Sequence, residues 1–183
     1  MASHKKNKTR KILFICTGNC VRSQMAEVFL NYRSAGRYEA FSAGWNPAGY
    51  IHPFVSIVLR ELRIPKGRKL TSKSWDVFAK KDFDAIITLC DVAQQQKCDY
   101  WPKRTDSILP VRAHWPVQDP ILVPVMGEEA KVEEFRIARD LIRDCTERMA
   151  ILPDEVFEDD RAFSRAIHAI SRDMQKDWEQ GHS

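Results

Sequence analysis

The sequence predicts an α/β protein in which helices cover both faces of a parallel β-sheet. Short runs of branched and aromatic apolar residues, typical of buried strands, alternate with segments in which apolar residues recur at helical spacing. No apolar run approaches the roughly 20 residues that a membrane helix needs. A chain of 183 residues is long enough for one sizeable domain with an appendage.

The first predicted unit is a strand, a tight loop and a helix. The apolar run "KILFIC" at residues 11–16 suits a buried central strand. Residues 17–19 then interrupt the apolar pattern. From Arg22 onwards, four apolar residues recur at helical spacing, namely Met25, Ala26, Phe29 and Leu30. This order is the opening of a βαβ unit.

The remaining elements of the domain follow in alternation. "YEAFSAG" at 38–44 predicts a second strand, and His52-Pro53 predicts the start of a helix, where proline is tolerated. "DAIITLC" at 84–90 is the next strand, and a shorter one is expected near Arg112–Trp115. A long amphipathic helix is expected from Glu128 to Met149. Ligands bind such sheets at the carboxyl ends of the strands, where Cys16 and Cys90 are expected.

The last segment, residues 151–183, differs in character. The acidic "DEVFEDD" leads into Phe163, Ile167, Ile170, Met174 and Trp178 at helical spacing. We expect one added helix, docked on the body or on a second subunit. The predicted division of the chain is a basic disordered tail (1–10), one domain (11–150) and a C-terminal helical extension (151–183).

The net charge of +4 comes mainly from the N-terminus. Five basic residues stand there without an acid among them, namely Lys5, Lys6, Lys8, Arg10 and Lys11. No aromatic or base-reading pattern accompanies them, so we interpret them as a solubilising terminus and expect neither nucleic acid nor a membrane as partner. The N-terminus also lacks the pattern of a secretory signal, so we expect a cytoplasmic protein.

The segment "CTGNCVRS", from Cys16 to Ser23, predicts an oxyanion site that contains a nucleophile. A loop that passes directly into a helix points backbone N–H groups at one spot, and the guanidinium of Arg22 can bind two oxygens of a tetrahedral oxyanion. The same positive field favours a thiolate at Cys16, to which the Ser23 hydroxyl could hydrogen-bond. The predicted oxyanion-binding residues are Thr17, Gly18, Asn19, Cys20, Val21, Arg22 and Ser23. The alternative is a buried structural Cys16 with Arg22 on the surface.

Further candidates for chemistry lie downstream. Asp119 in "HWPVQDP" is the candidate general acid, although an Asp-Pro pair alone is most often a turn. In "TLCDVAQQQKCDYWP", a thiolate of Cys90 or Cys98 that reached Cys16 could resolve an adduct by thiol exchange. The alternative is two unrelated cysteines. No histidine accompanies the cysteines at zinc-site spacing, and we expect no metal.

Together these residues resemble the low-molecular-weight tyrosine phosphatase superfamily, and more narrowly its thioredoxin-coupled arsenate reductase branch, over residues 10–150. Both branches share the "CTGN..RSQMAE" cradle and the Asp119-Pro120 acid loop. The features similar to the reductase branch are "SAG" at Ser42–Gly44, "HP" at His52-Pro53, "TLCD" at Thr88–Asp91, Cys98, "HW" at His114-Trp115 and "EEFRIARDLI" at Glu133–Ile142. Residues 151–183 have no counterpart in the family domain.

The resemblance implies a three-layer fold with a four-stranded parallel sheet, and a cycle of arsenate reduction. Cys16 would attack arsenate held by Arg22 and the loop amides while Asp119 protonates the leaving oxygen. Cys90 would attack the adduct, releasing arsenite, and Cys98 would move the disulfide to Cys90–Cys98. The resemblance implies no bound cofactor, with thioredoxin or a low-molecular-weight thiol as reductant.

The sequence departs from the family pattern at two cysteine positions. Cys20 precedes Val21, where the family places the loop's second cysteine one residue later, and Cys90 and Cys98 are one residue further apart than the branch pattern. Two other functions stay open. A phosphatase acting on phosphomonoesters needs only Cys16, Arg22 and Asp119, and an oxyanion-binding regulatory module needs no turnover.

Overall fold

The fold centres on a four-stranded, fully parallel sheet. The computed structural model describes residues 9–64, 69–91 and 109–181, the last five by their backbone alone. The strands are β1 (Arg10–Cys16), β2 (Tyr38–Gly44), β3 (Ala85–Thr88) and β4 (Val111–His114), in the order β2-β1-β3-β4. The predicted α/β class with a four-stranded parallel sheet is therefore confirmed.

Five α-helices surround this sheet in the described ranges. They are α1 (Arg22–Arg33), α2 (Pro53–Glu61), α3 (Glu128–Ala150), α4 (Asp154–Glu158) and α5 (Asp160–Gly181), with a 3₁₀ helix at Trp75–Phe78. Helix α1 packs on β1 and β2 and against α3, which also packs on α2. The apolar residues predicted for α1 are buried. The apolar face of the predicted long helix is buried too, and it consists of Val132, Phe135, Ile142, Cys145 and Met149. None of the helices in the described part of the chain is long and apolar enough to cross a membrane.

The carboxyl ends of the strands bring the first two predicted thiols to one edge of the sheet. Cys16 is the last residue of β1, where it pairs with Gly44 of β2. Beyond β3, the amide of Leu89 still donates to the carbonyl of Ile15 over 2.8 Å. Cys90 therefore follows the sheet beside the end of β1.

The C-terminal extension contains the predicted helix, which is α5, and the short helix α4 precedes it. The chain is extended at Asp159 (φ −89°, ψ 119°), which separates the five-residue α4 from α5. The buried side chains of the extension are Phe157, Phe163, Ile167, Ile170 and Met174. Helix α5 packs against α3 and β4 of the same chain. Burial of each of these apolar side chains contributes about 1.5–3 kcal/mol, which fixes the extension to the domain.

Arg10 is not part of a disordered tail, contrary to the predicted boundary. It opens β1 and is 2% exposed. Its guanidinium donates to Asp160 over 2.8 Å and to the carbonyl of Phe157 over 2.7 Å, and it lies over the ring of Phe163. A charged group becomes stable in the interior when partners on several sides satisfy it. Arg10 therefore joins the first strand to the extension.

Candidate active site

The loop between β1 and α1 is held by its carbonyl groups. Three consecutive carbonyls accept hydrogen bonds from the segment after β2, in the pairs Trp45 N to Cys16 O (3.1 Å), Asn46 N to Thr17 O (2.9 Å) and Ala48 N to Gly18 O (2.8 Å). The amide of His52 donates to Cys20 O over 3.1 Å. Because the neighbouring segment engages these carbonyls, the conformation of the loop is fixed, as a concavity of successive amides that binds an anion would require.

Asn19 fixes the middle of this loop. Its φ of 47° lies in the left-handed region, which asparagine tolerates better than most residues. The side chain donates from Nδ2 to Ser23 Oγ over 2.8 Å, and its Oδ1 accepts from the amide of Lys73 over 2.9 Å. The Gln24 amide donates to the carbonyl of Asn19 over 3.0 Å and to that of Thr71 over 2.9 Å. The conformation of the loop therefore depends on residues 71–73, which sequence reasoning did not single out.

Gly44 explains how β2 can approach the loop so closely. A Cβ at this position would lie 2.7 Å from the carbonyl oxygen of Thr17 and 3.1 Å from the amide of Asn19. Both contacts are with backbone atoms, which cannot move without opening the loop. The "SAG" segment noted in the sequence thus supplies the one residue type that fits here.

The predicted nucleophile sits at the base of the loop. Cys16 is 3% exposed, and its Sγ lies 3.0 Å from the hydroxyl oxygen of Ser23. This is the contact that the sequence predicted. The hydroxyl is itself fixed by the amide of Asn19, so it can donate its proton to the sulfur.

Cys20, the second thiol of the loop, has a different environment. Burial raises the pKa of the Cys20 thiol, negative charge at Cys16 and Asp119 raises it further, and Arg22 acts in the opposite direction. Its Sγ lies 3.0 Å from where a Cβ on Gly18 would be. Cys20 is therefore a buried thiol that fills space beside Gly18 and stays protonated at neutral pH.

Arg22 and Asp119 meet at the mouth of the loop. Arg22 Nη2 lies 2.6 Å from Asp119 Oδ2, and Arg22 Nη1 donates to the carbonyl of Val117 over 2.9 Å. The guanidinium is buried and points towards the acid loop, so the alternative with Arg22 on the surface is excluded. The other carboxylate oxygen of Asp119 accepts from the amide of Ile121 over 3.1 Å, which fixes the turn that the Asp-Pro pair predicted.

Cys90 lies against the loop as well. It is 9% exposed, and its Sγ lies 3.3 Å from the hydroxyl oxygen of Thr17, the residue directly after Cys16. The four described cysteines, Cys16, Cys20, Cys90 and Cys145, are free thiols. Cys98 falls in residues 92–108, outside the described residues. Within the described ranges, no three His, Cys, Asp or Glu side chains form a group that could hold a metal.

A histidine links the Cys90 segment to the edge strand. His114 Nδ1 lies 2.9 Å from the hydroxyl of Thr88, and Nε2 lies 3.2 Å from the carboxylate of Asp91. The sequence had marked His114 only as part of a resemblance, without a role. Its position fixes the residue that follows Cys90 against β4.

One cavity brings Arg22, Asp119 and Cys90 together, and Cys16 is not among its lining residues. Its lining residues are Thr17, Arg22, Cys90, Asp91, Pro116, Val117, Gln118, Asp119 and Leu122. An oxyanion in this cavity would meet a guanidinium, a carboxyl group and a second thiol at the rim of the loop that carries Cys16. The arrangement can support attack by sulfur on a tetrahedral oxyanion, with proton transfer to the departing oxygen.

Comparisons with known proteins agree with this arrangement. The model of the family described as low molecular weight phosphotyrosine protein phosphatase matches residues 11–161. An arsenate reductase of Bacillus licheniformis is 33% identical over 141 residues, covering 77% of this chain and 95% of that protein. A glutaredoxin arsenate reductase of Synechocystis sp. is 25% identical over 140 residues, covering 76% of this chain and 95% of that protein.

A solved structure gives the same picture of the fold. An arsenate reductase in the phosphate binding state aligns with a TM-score of 0.61 at 26% identity, covering 78% of this chain and 97% of that chain. The family match ends at residue 161, in the first turn of α5. Most of α5 therefore lies beyond the part of the chain that the family model matches.

Proposed function

Since this chain belongs to the low molecular weight phosphotyrosine protein phosphatase family, we propose that it reduces arsenate to arsenite through a relay of cysteines. One observation carries the proposal beyond the chemistry that a phosphatase needs. Cys90 Sγ lies 3.3 Å from the hydroxyl of Thr17, on the oxyanion loop itself. A phosphatase has no use for a second thiol there, whereas a reductase does. Relatives named arsenate reductase support the same activity.

The first step is the formation of a bond between sulfur and arsenic. Arsenate binds to the loop amides and to Arg22. The Arg22 guanidinium gives up its contact with Asp119 and binds two oxygens of the anion instead. Cys16 attacks arsenic as a thiolate, and Ser23 stabilises its charge by donating a hydrogen bond. Asp119 supplies the proton with which one oxygen departs as water. Asp119 acts here as general acid and Cys16 as nucleophile.

The second step transfers two electrons. Cys90 attacks the sulfur of Cys16, a disulfide forms, and the pair of electrons of the S–As bond stays on arsenic, which becomes As(III) and leaves as arsenite. The contact between Cys90 and Thr17 supports this step. In a third step, Cys98 attacks Cys90 and frees Cys16, which leaves a Cys90–Cys98 disulfide. The role of Cys98 stays a prediction, because that residue lies outside the described ranges.

The final step needs a thiol reductant. An external dithiol attacks the enzyme disulfide, becomes oxidised itself, and restores both enzyme thiols. The resemblance favours thioredoxin, and the glutaredoxin arsenate reductase of Synechocystis sp. makes a glutaredoxin a second possibility among protein thiols. We propose thioredoxin as the physiological reductant, with a low-molecular-weight thiol as the alternative.

A comparison of single turnovers tests the relay. The reduced enzyme is mixed with excess arsenate without reductant, and arsenite is counted per enzyme. Wild type and Cys98→Ser should each release about one arsenite, because the Cys16–Cys90 disulfide forms in both, whereas Cys90→Ser should release none. Cys145→Ala is the matched control, since Cys145 is buried in α3, away from the loop. A Cys90→Ser enzyme that still released one arsenite would contradict the relay.

Multiple turnovers identify the reductant. Arsenate is supplied with NADPH and either thioredoxin with its reductase or glutaredoxin with glutathione, and the oxidation of NADPH is followed. We expect steady turnover with thioredoxin for wild type and Cys145→Ala. Turnover by Cys98→Ser should stop after the first cycle. Steady turnover with glutaredoxin alone would replace thioredoxin as the partner.

Phosphatase activity is the second candidate, because Cys16, Arg22 and Asp119 form a complete phosphoryl-transfer site and the family carries that name. Hydrolysis would pass through a phosphocysteine on Cys16 that water attacks. Release of phosphate from a phosphomonoester by Cys90→Ser and Cys98→Ser at the wild-type rate, with no arsenite formed by the wild type, would favour this function.

A further inference from the structure

Helix α5 carries a row of basic side chains that the proposed chemistry does not use. The row consists of Arg161, Arg165, His168 and Arg172, and we call it the basic stripe. Spacings of four, three and four residues place these side chains on one face of the helix. All four are exposed. The stripe spans twelve residues, and the eleven rises between its first and last residue cover about 16 Å of helix at 1.5 Å each.

The described residues around the stripe do not neutralise its positive charge. Its three arginines form no ion pair with any residue in the ranges 9–64, 69–91 and 109–181. The two acids that adjoin the stripe on the helix are turned to other partners, Asp160 to Arg10 (2.8 Å) and Asp173 to Arg148 (3.7 Å). A face with this charge attracts a negatively charged surface and accelerates its encounter.

The stripe lies beside the proposed redox centre. Helix α5 packs against β4, which is the edge strand of the sheet. A groove between them is lined by His114, Arg165, His168, Ser171, Arg172 and Gln175. At its end, His114 is hydrogen-bonded to Asp91, the residue that follows Cys90. A protein seated on the stripe would therefore have its edge next to the Cys90 segment.

We propose that the basic stripe is the docking surface for an acidic protein dithiol that reduces the enzyme. This inference rests on the proposed function, since it supplies the partner of the last step. The partner's thiolate attacks the enzyme disulfide that contains Cys90, its second thiol closes its own disulfide, and two protons and two electrons pass to the enzyme. A nucleic acid would also be attracted by arginines, but the position of the stripe beside Cys90 favours a redox protein.

The test uses the full chain and a thioredoxin of net negative charge, regenerated by its reductase and NADPH. Arg165→Glu/Arg172→Glu should raise the KM for thioredoxin at least about 5-fold at 50 mM NaCl, and the difference should shrink to about 2-fold or less at 500 mM, because salt screens exposed charges. Turnover driven by dithiothreitol, a small neutral dithiol, should stay unchanged. The matched control is Arg60→Glu/Lys80→Glu, which changes charge equally on α2 and after the 3₁₀ helix that contacts β2 at the opposite sheet edge.

The outcomes separate the docking surface from the function. An unchanged KM for thioredoxin overturns the docking surface, as does an equal loss with dithiothreitol or an equal rise in the control. Titration calorimetry of thioredoxin onto the reduced chain at 50 mM NaCl gives a readout without arsenate. Stripe-dependent binding with no arsenite formed under any reductant would refute the proposed function and retain the surface. Stripe-dependent binding of a 20-base-pair DNA duplex without binding of thioredoxin would refute the surface.

Discussion

The loop between β1 and α1 (residues 17–21) and the C-terminal extension attach to the same domain in opposite ways. The loop consists of consecutive residues, and backbone amides from neighbouring segments hold its carbonyls in place. The extension is attached by side chains that are far apart in sequence, with Arg10 bonded to Phe157 and Asp160. The first arrangement fixes the conformation of the loop mainly through main-chain groups. The second fixes the position of a helix and leaves its outer face free to vary.

This comparison predicts that mutations in the two regions have separable effects. The largest effect is expected at Cys16, the proposed nucleophile. Cys16→Ser should lower the kcat for arsenate reduction by at least about 10³-fold, the order of loss seen when a nucleophile is removed. The urea midpoint of this variant should stay close to that of the wild type, since serine differs from cysteine only by an oxygen in place of the sulfur. Steady-state kinetics measure the loss of kcat, and urea unfolding measures the midpoint. A residual activity above one hundredth of the wild-type rate would show that Cys16 is not the nucleophile.

The opposite pattern is expected from Arg10→Met. This change removes the buried guanidinium, leaves the carboxylate of Asp84 without that partner, and should lower the free energy of unfolding by about 3 kcal/mol. Equilibrium urea unfolding measures the loss. Single-turnover release of arsenite at low temperature, where the variant is folded, should stay within about twofold of the wild type, because Arg10 lies at the far end of β1 from Cys16.

Asp160→Asn is the control for Arg10. Asp160 is about half exposed, and the Arg10–Asp160 pair is therefore expected to contribute less than about 1 kcal/mol. If Asp160→Asn cost as much as Arg10→Met, the extension would depend on that one ion pair rather than on burial of the guanidinium.

The same contrast explains what the sequence could predict. The loop could be predicted because the proposed nucleophile, the turn residues and the arginine proposed to bind the anion follow one another between a buried strand and an amphipathic helix. The bounds of β2 are those that its apolar pattern predicted. The role of residues 71–73 could not be predicted from the sequence, since they support Asn19 largely through backbone atoms, which every residue possesses. The prediction for Arg10 was wrong because its partners in the extension lie about 150 residues away, and no pattern near Arg10 in the sequence indicates them.

A smaller effect is expected at the support of the loop. Asn19→Ala loses the bonds to Ser23 and Lys73 and strains the backbone at φ 47°, at a combined cost of about 2–3 kcal/mol in loop preorganisation. The kcat/KM for arsenate should fall roughly 30- to 160-fold. Asn19→Gly removes the same bonds without the strain, so it should lie between Asn19→Ala and the wild type. Equal kcat/KM values for Asn19→Ala and the wild type would show that Asn19 does not support the active conformation of the loop.

The smallest effect concerns His52, which connects the loop to α2. Its amide donates to the carbonyl of Cys20, and its Nδ1 accepts from the amide of Phe54 over 3.3 Å, which requires the neutral ring. Burial lowers the pKa of His52, negative charge at Asp119 partly opposes this, and Lys131, with the smallest effect, lowers the pKa again. The unfolded chain therefore takes up the proton first as the pH falls below about 6.5. The stabilisation is present at neutral pH and is lost as the pH falls through the folded pKa.

His52→Asn isolates this contribution, because asparagine keeps an acceptor at the start of the helix and does not titrate. Urea unfolding of both proteins at pH 7.5 and pH 5.0 gives two differences, in which the other titrating groups cancel. The wild type should lose more stability on acidification, by less than about 1 kcal/mol, since solvent screens a ring that is only partly buried. The same loss in both proteins would mean that protonation leaves the contact between loop and helix intact, and that the loop is held by its backbone amides alone.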